Sequence, residues 1–198
     1  MAHNGSRPDL EAIAALIPSG ARVLDLGCGD GTLLAQLVAQ KQVWARGVEL
    51  SEANVRACIA RGLSVRQGNI EEGLADFPDD AFDYVILSQT LAYLDQPMPV
   101  VREMLRVGRR AIISFENAGY WRVRWRMLIG QGVGEDLCSG EARTRAITLG
   151  QFVTFAQCVG AQIEAVRLLS GHRVMRAWPT WLTHTAVYVL RRALAPVV

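Results

Sequence analysis

Arg22-Val23-Leu24-Asp25-Leu26-Gly27-Cys28-Gly29-Asp30-Gly31-Thr32-Leu33-Leu34 is the stretch whose reading decides the fold. Its first five residues form a mainly apolar run with one acid inside it, which predicts a strand. Gly27, Gly29 and Gly31 then fall on alternate positions. Glycine there permits positive φ and close approach of another group to the backbone. From Gly31 to Gln40 the apolar residues Leu33, Leu34, Leu37 and Val38 recur on one side, which predicts a helix. The stretch is a strand, a tight turn and a helix.

Working outward, the same alternation continues. Asp9 to Ile17 reads as a short helix ended by Pro18-Ser19-Gly20. Val43 to Leu50 is a second strand, followed by a helix with Ser51 as its expected N-cap, running to about Arg61. Gly62 ends that helix, and Leu63 to Gln67 is a third strand. Phe82 to Leu87 is continuously apolar, as in the centre of a parallel sheet. Pro99 to Val107 reads as a helix and Ala111 to Phe115 as a strand. Ala118 to Ile129 reads as a helix, and Gln131 to Arg145, glycine-rich and polar, as a mobile connection. Thr148 is expected to cap a helix to Val159. Gln162 to Leu169 and Thr185 to Leu190 are the last strands. Only Gly171 to Thr183 joins them, with Pro179 inside, so the final strand is expected to run antiparallel. The fold class is α/β, with helices on both faces of a mostly parallel sheet.

The chain of 198 residues is read as a single domain, 1–198, with segment 118–147 as a helix and connection that could form a lid. A formal charge of +2 is too small to imply nucleic acid; arginine supplies nearly all the positive charge, with Lys41 the only lysine. No apolar run approaches the ~20 residues of a membrane span, and Met1-Ala2-His3-Asn4-Gly5 does not read as a signal peptide. Cys28, Cys58, Cys138 and Cys158 lack C-x-x-C pairing, so no metal site is expected, and free thiols fit a cytoplasmic location.

The glycine turn leads into a helix start, a place that suits an anion. A dinucleotide fingerprint would read G-x-G-x-x-G. Counted from Gly27, its third glycine falls on Thr32; counted from Gly29, Gly31 fits but the third glycine falls on Leu34. Asp25 and Asp30 flank the glycines and would repel a pyrophosphate. They favour a cationic ligand instead. S-adenosylmethionine carries an ammonium, a sulfonium and a carboxylate, and no phosphate, so it fits this loop better than NAD. Glu49 ends the second strand, where an acid can accept both hydroxyls of a ribose. Asn69 and Ile70 follow the third strand and are candidates for the adenine edge and face. Ser88-Gln89-Thr90 follows the central strand, at the carboxyl end where ligands bind in such sheets. Gln89 is the candidate for orienting the methionine end or an acceptor. The expected cofactor-binding set is Asp25, Gly27, Cys28, Gly29, Gly31, Glu49, Leu50, Asn69, Ile70, Ser88 and Gln89.

With these residues in place the chain resembles class I methyltransferases, and within them the MetW-type methionine-biosynthesis proteins. The resemblance runs from Pro18 to Ile129. It is carried by the glycine stretch, Gly47-Val48-Glu49, Glu72-Gly73-Leu74-Ala75-Asp76-Phe77-Pro78-Asp79, Phe82-Asp83-Tyr84-Val85, Leu87-Ser88-Gln89-Thr90-Leu91, and Arg102-Glu103-Met104-Leu105-Arg106-Val107-Gly108-Arg109-Arg110. It implies a Rossmann-like, seven-stranded sheet with an antiparallel last strand. It also implies S-adenosylmethionine, with S-adenosylhomocysteine as product, near Asp25, Gly27, Gly29, Glu49, Asn69 and Gln89. A small-molecule methyl acceptor is expected, and a link to methionine synthesis beside a homoserine O-acyltransferase, as its methylating neighbour or as its non-catalytic partner. The chain departs from the family at Asn69, where aspartate is usual, and at Glu116-Asn117-Ala118-Gly119-Tyr120-Trp121, where Pro-Asn-Phe-Gly-His-Trp is usual.

No catalytic residue stands out. His172 and His184 are the histidines outside the N-terminal end; Tyr93 and Tyr120 are candidates to line an acceptor pocket; Ser88 lacks a histidine partner. Helical spacing puts Trp121 and Trp125 on one face and Arg122 and Arg126 on another. Three readings follow: a lid, a partner surface, or a helix packed by its aromatic face.

Overall fold

The computed structural model describes residues 7–130, 145–175 and 179–193. An eight-stranded sheet has the order β3-β2-β1-β4-β5-β8-β6-β7. The strands are β1 (Arg22–Leu26), β2 (Trp44–Glu49), β3 (Val65–Gln67), β4 (Phe82–Ser88), β5 (Gly108–Glu116), β6 (Ala161–Ser170), β7 (Arg173–Val174) and β8 (Thr185–Arg192). From β3 to β5 every pairing is parallel, and β8 is antiparallel to both β5 and β6. The expected antiparallel last strand is present. The additional strand is the two-residue β7, which folds back on the end of β6. It is too short to leave a period in the sequence.

Helices α1 (Pro8–Leu16) and α2 (Thr32–Lys41) cover one face. Their Leu10, Ile13, Leu33 and Leu37 pack on Val23, Ile86, Ile112, Val187 and Val189. Helix α3 (Glu52–Ala60) joins them through Cys58, which packs with Cys28 and Leu34. The opposite face carries α4 (Pro97–Val107) and α6 (Leu149–Cys158), whose Met104, Leu105, Phe152 and Ala156 meet Leu24, Leu26, Val85, Leu87 and Ile113. No helix of the described residues is long and apolar enough to cross a membrane.

Local rules explain most boundaries. Thr148 caps α6 in a reciprocal capping box with Gln151, as its position predicted. Ser51 occupies the N-cap of α3, but its side chain makes no capping bond; its backbone N–H is tied to Glu49 instead. Helix α4 begins two residues before the expected Pro99, because Pro97 is equally suited to a first helical turn. Helix α5 (Trp121–Leu128) buries none of its residues. The reading of it as packed by its aromatic face is therefore overturned: Trp125 is 60% exposed. The Arg122 guanidinium lies over the Trp121 ring at 5.4 Å and that of Arg124 over Trp181, in the short helix α7 (Pro179–Leu182), at 5.1 Å. The expected mobile connection falls mostly on residues 131–144, outside the described ones.

The alternate glycines have different duties. Gly31 has φ +77°, and a Cβ there would meet Leu63 Cδ1 at 2.5 Å and Cys58 Sγ at 2.8 Å. Gly29 has φ +56° and nothing within 4 Å of a Cβ. Gly31→Ala is expected to lower stability by roughly 2–4 kcal/mol, through overpacking added to backbone strain. Gly29→Ala is expected to cost only the strain, about 1 kcal/mol. Urea unfolding of the two variants tests the difference; equal losses would refute the assignment of Gly31 to packing.

Candidate functional site

Side chains alternate across a strand, and this period builds the site. Val23, Ile86 and Ile112 point to the α1 face deep in the sheet. Two positions further along, at the carboxyl ends of the same strands, stand Asp25, Ser88 and Ser114. Asp25 is in register with Ile86, and Ser88 with Ser114. Ser88 and Ser114 therefore top the apolar Ile86 and Ile112 on adjacent strands, with Asp25 level with Ile86 on β1, under the amino end of α1.

Asp9 of α1 closes this row. Its Oδ2 accepts from Ser88 Oγ at 2.9 Å, from Ser114 Oγ at 3.1 Å and from Arg7 Nη2 at 2.8 Å. Arg7 Nη2 also donates to Ser88 Oγ at 2.7 Å. Burial alone would raise the Asp9 pKa, but Arg7 and the two hydroxyls hold its carboxyl below the usual range. Arg7, Asp9 and Ser114 escaped the sequence reading. Asp9 and Ser114 are 105 positions apart, and no local pattern links them. Ser88 is thus tied to a carboxylate and an arginine, which leaves it no role as a nucleophile.

Asp25 differs in kind. It is 2% exposed, and its Oδ1 has no hydrogen-bond partner. Burial pushes its pKa up to about 7; Arg7 pulls it down and Glu49 pushes it up further. Its carboxyl is thus left unsatisfied beside the glycine turn.

The turn itself is closed from within. Gly27 and Cys28 donate their N–H groups to Val48 O, Gly29 to Glu49 Oε2 at 2.8 Å, and Gly31 to Cys28 O. Asp30 Oδ1 accepts Thr32 N–H at the start of α2, and Asp30 pairs with Arg61 on the surface. The two acids expected to act together are therefore separate: Asp25 faces inward, while Asp30 caps α2 and is neutralised. The Cys28 side chain packs inward with Leu34 and Cys58, and burial, Asp25 and Cys58 push its thiol pKa up. Only its backbone belongs to the turn's outer surface.

Glu49 lies across the turn, 8% exposed. Its Oε1 accepts Ser51 N–H at 2.9 Å and, weakly, Asn54 Nδ2 at 3.4 Å. Leu50, beside it, is 66% exposed, whereas Ile70 is buried in the main core. Asn69 turns its side-chain carbonyl to Glu71 N–H, capping the short 3-10 turn Ile70–Glu72. Gln89 has φ +56°, rare for a residue with a side chain. Its N–H is held by Ser114 at both the carbonyl and the hydroxyl, which fixes this strained position at the end of β4.

The other candidates lie apart from this row. His172 pairs with Glu11 at 3.1 Å on the surface. Tyr120 packs edge-on against His184 at 5.3 Å, near the start of β8. Tyr93 is 51% exposed. An apolar cavity of about 200 Å³ opens between Leu91, Pro97, Ile147, Phe152 and Phe155. Among the described residues no group of three or more His, Cys, Asp or Glu side chains could hold a metal ion.

A family model described as "Methionine biosynthesis protein MetW" matches residues 7–190. The bifunctional methionine biosynthesis protein MetXA/MetW of Rhodopirellula baltica is 43% identical over 124 residues, covering 59% of this chain and 20% of that protein. A ubiquinone biosynthesis O-methyltransferase of Pseudomonas fluorescens is 31% identical over 94 residues, covering 45% of this chain and 40% of the relative. The match thus spans well under two thirds of either relative. A S-adenosylmethionine-dependent methyltransferase of Thermotoga maritima, a possible histamine N-methyltransferase, superposes with TM-score 0.72 at 18% identity, over 93% of this chain and 87% of its own. One from Mesorhizobium loti gives TM-score 0.71 at 18% identity, over 94% and 99%. These two show the fold.

The Asp25 environment predicts a pH signature. Its folded pKa lies above its unfolded one, so the folded state holds the proton more tightly. The stability this contributes is complete below about pH 4 and is lost as pH rises through about 7. Asp25→Asn removes the penalty. The variant is expected to gain on wild type between pH 5 and pH 8, by roughly 2–4 kcal/mol at the upper end. Thermal unfolding across that range checks it; a pH-independent difference would show that Asp25 does not titrate there.

Proposed function

The chain belongs to the MetW family of methionine biosynthesis proteins, and from that membership and the site geometry we propose that it binds S-adenosylmethionine and methylates a small molecule. One observation carries the cofactor reading: a buried carboxylate with an unpaired oxygen, Asp25 Oδ1, beside a glycine turn whose own N–H groups are taken. That arrangement favours a cation over a phosphate. The residues present fit the group. Glu49 would hold the ribose, since a carboxylate has about four acceptor sites and its contact to Asn54 is weak. Leu50 would cover the adenine, with Asn69 and the Ile70 backbone at its edge. Gly27, Cys28, Gly29 and Gly31 would let it approach the backbone, and Ser88 and Gln89 would border its methionine end.

When bound, the group supplies a methyl on a sulfonium, displaced in line with a neutral thioether leaving, so the leaving group needs no acid. What remains for this chain is positioning, which can contribute ~7–11 kcal/mol. The locked backbone of Gln89 and the braced Ser88 suit that task. A base is needed only for an acceptor that must lose a proton.

A second reading is a non-catalytic S-adenosylmethionine-binding partner of a homoserine O-acyltransferase. The bifunctional MetXA/MetW relative favours it, as does the exposed set Trp121, Trp125, Leu128 and Trp181, since tryptophan and arginine are enriched where interfaces are tightest. Labelled methyl passing to a small molecule supports the first reading. Copurification with the acyltransferase, and no transfer to any extract component, supports the second.

Calorimetry is expected to detect binding of S-adenosylmethionine or S-adenosylhomocysteine, and none of NAD. Glu49→Ala is expected to weaken that binding by about 1–3 kcal/mol. Binding of NAD alone would overturn the cofactor reading, and unchanged affinity in the variant would place the ribose elsewhere.

A further inference from the structure

Resting on the methyltransferase reading above, we infer that the apolar cavity beyond β4 holds one aromatic ring, the body of the methyl acceptor. Its walls come from three places that the fold brings together. Leu91 stands in the 3-10 turn Leu91–Tyr93 after β4, Pro97 starts α4, and Ala146, Ile147, Phe152 and Phe155 belong to α6 and the residues leading into it.

Internal bonds set the shape of this cavity. Arg145 donates its N–H to Ala92 O at 2.9 Å and its guanidinium to the carbonyls of Leu94 and Asp95. Ala118, after β5, donates its N–H to Ile147 O at 2.9 Å. The segment entering α6 is thus fastened to the chain that leaves β4 and β5. Phe152 is packed by Phe115 and Tyr188, at 4.8 and 4.4 Å between ring centroids, and Phe155 lies 6.1 Å from Phe152 at 42°.

Size and polarity select the occupant. The volume is about 200 Å³, and an apolar cavity of ~150 Å³ takes benzene. Phenylalanine rings on the wall favour a ring as guest. The polar residues at the wall are already engaged, Arg145 with carbonyls and Gln151 Oε1 with Thr148 N–H. An open-chain, amino-acid-like acceptor would leave its own polar groups unpaired there.

Position ties the cavity to the glycine turn. Thr90 precedes Leu91, and a Cβ on Gly27 would lie 3.1 Å from Thr90 Oγ1. A single residue therefore separates the turn from the cavity wall. A hydroxyl or amino group on the ring, turned toward Thr90, forms the bond to the methyl carbon with its own electron pair. The methyl–sulfur bond breaks with its pair left on sulfur, and the proton of the ring substituent passes to water.

The cavity is tested first without cofactor, by fluorine NMR titration of fluorobenzene into wild type, Ala146→Phe and Phe155→Ala. Saturable binding is expected in wild type, weakened roughly tenfold or more in Ala146→Phe, which fills the space. Phe155→Ala enlarges the space and is expected to raise the affinity for fluoronaphthalene relative to fluorobenzene above the wild-type ratio, which keeps the test open should Ala146→Phe not fold. Labelled S-adenosylmethionine is then supplied with phenol, catechol and aniline, and with homoserine and ethanolamine. Transfer is expected to a ring compound, and its loss in Ala146→Phe while that variant still binds S-adenosylmethionine by calorimetry. Absence of saturable fluorobenzene binding, or binding that neither substitution alters, overturns the cavity assignment. Transfer to the open-chain compounds alone, or to none of the panel, overturns the aromatic acceptor. If wild type binds no S-adenosylmethionine, the cofactor reading falls by itself, and the fluorobenzene titration still decides the cavity.

Discussion

Burying a carboxylate is costly unless hydrogen bonds or an opposite charge compensate, and Asp25 is buried with one oxygen unpaired and a second acid, Glu49, acting against it. The carboxyl end of the sheet is arranged around that cost. Asp9, also buried, is treated in the opposite way, with an arginine and two hydroxyls on its carboxylate. Two neighbouring acids on one face thus divide the work. One is satisfied within the fold and anchors a cation. The other keeps one oxygen without a partner.

The rest of the structure makes this arrangement tolerable. Behind the polar row lie two apolar layers, with α1 and α2 on one face and α4 and α6 on the other. Gln89 stays in a backbone conformation that costs of order 1–3 kcal/mol because Ser114 and the β4–β5 ladder hold it. Strain and unpaired charge sit together at the carboxyl ends of β1 and β4, while the opposite ends of the strands carry ordinary surface pairs such as Arg22 with Asp83. Stability is generated in the layers and given up where the strands end.

How much of this was legible in the sequence depended on the range of the interaction. The strand and helix order, the antiparallel final strand and the Thr148 cap follow from periods and spacings within about ten residues, and they are present. Glu49 was found because its distance from the glycines is set by one helix and one strand. Asp9 was invisible as a functional residue, since its partners lie on β4 and β5, and only folding brings Ser88 and Ser114 beneath it. The exposure of α5 was left open among three readings for a related reason. Helical spacing shows that Trp121 and Trp125 share a face, but not whether a neighbouring element covers it.

The glycine turn shows why the surrounding groups matter more than the glycines. A phosphate-binding loop works by presenting unpaired N–H groups to an anion. Here the N–H groups of Gly27, Cys28, Gly29, Gly31 and Thr32 all find acceptors inside the chain. Asp30, counted from the sequence as a second repulsive charge, acts differently: it occupies the helix start and turns its own charge to Arg61. The acids that remain against the turn are Asp25 and Glu49, with Arg7 acting on Asp25 in the opposite sense. A glycine pattern shared by many nucleotide sites thereby has most of its N–H groups taken, by acceptors within the turn, at the carboxyl end of β2 and at the head of α2.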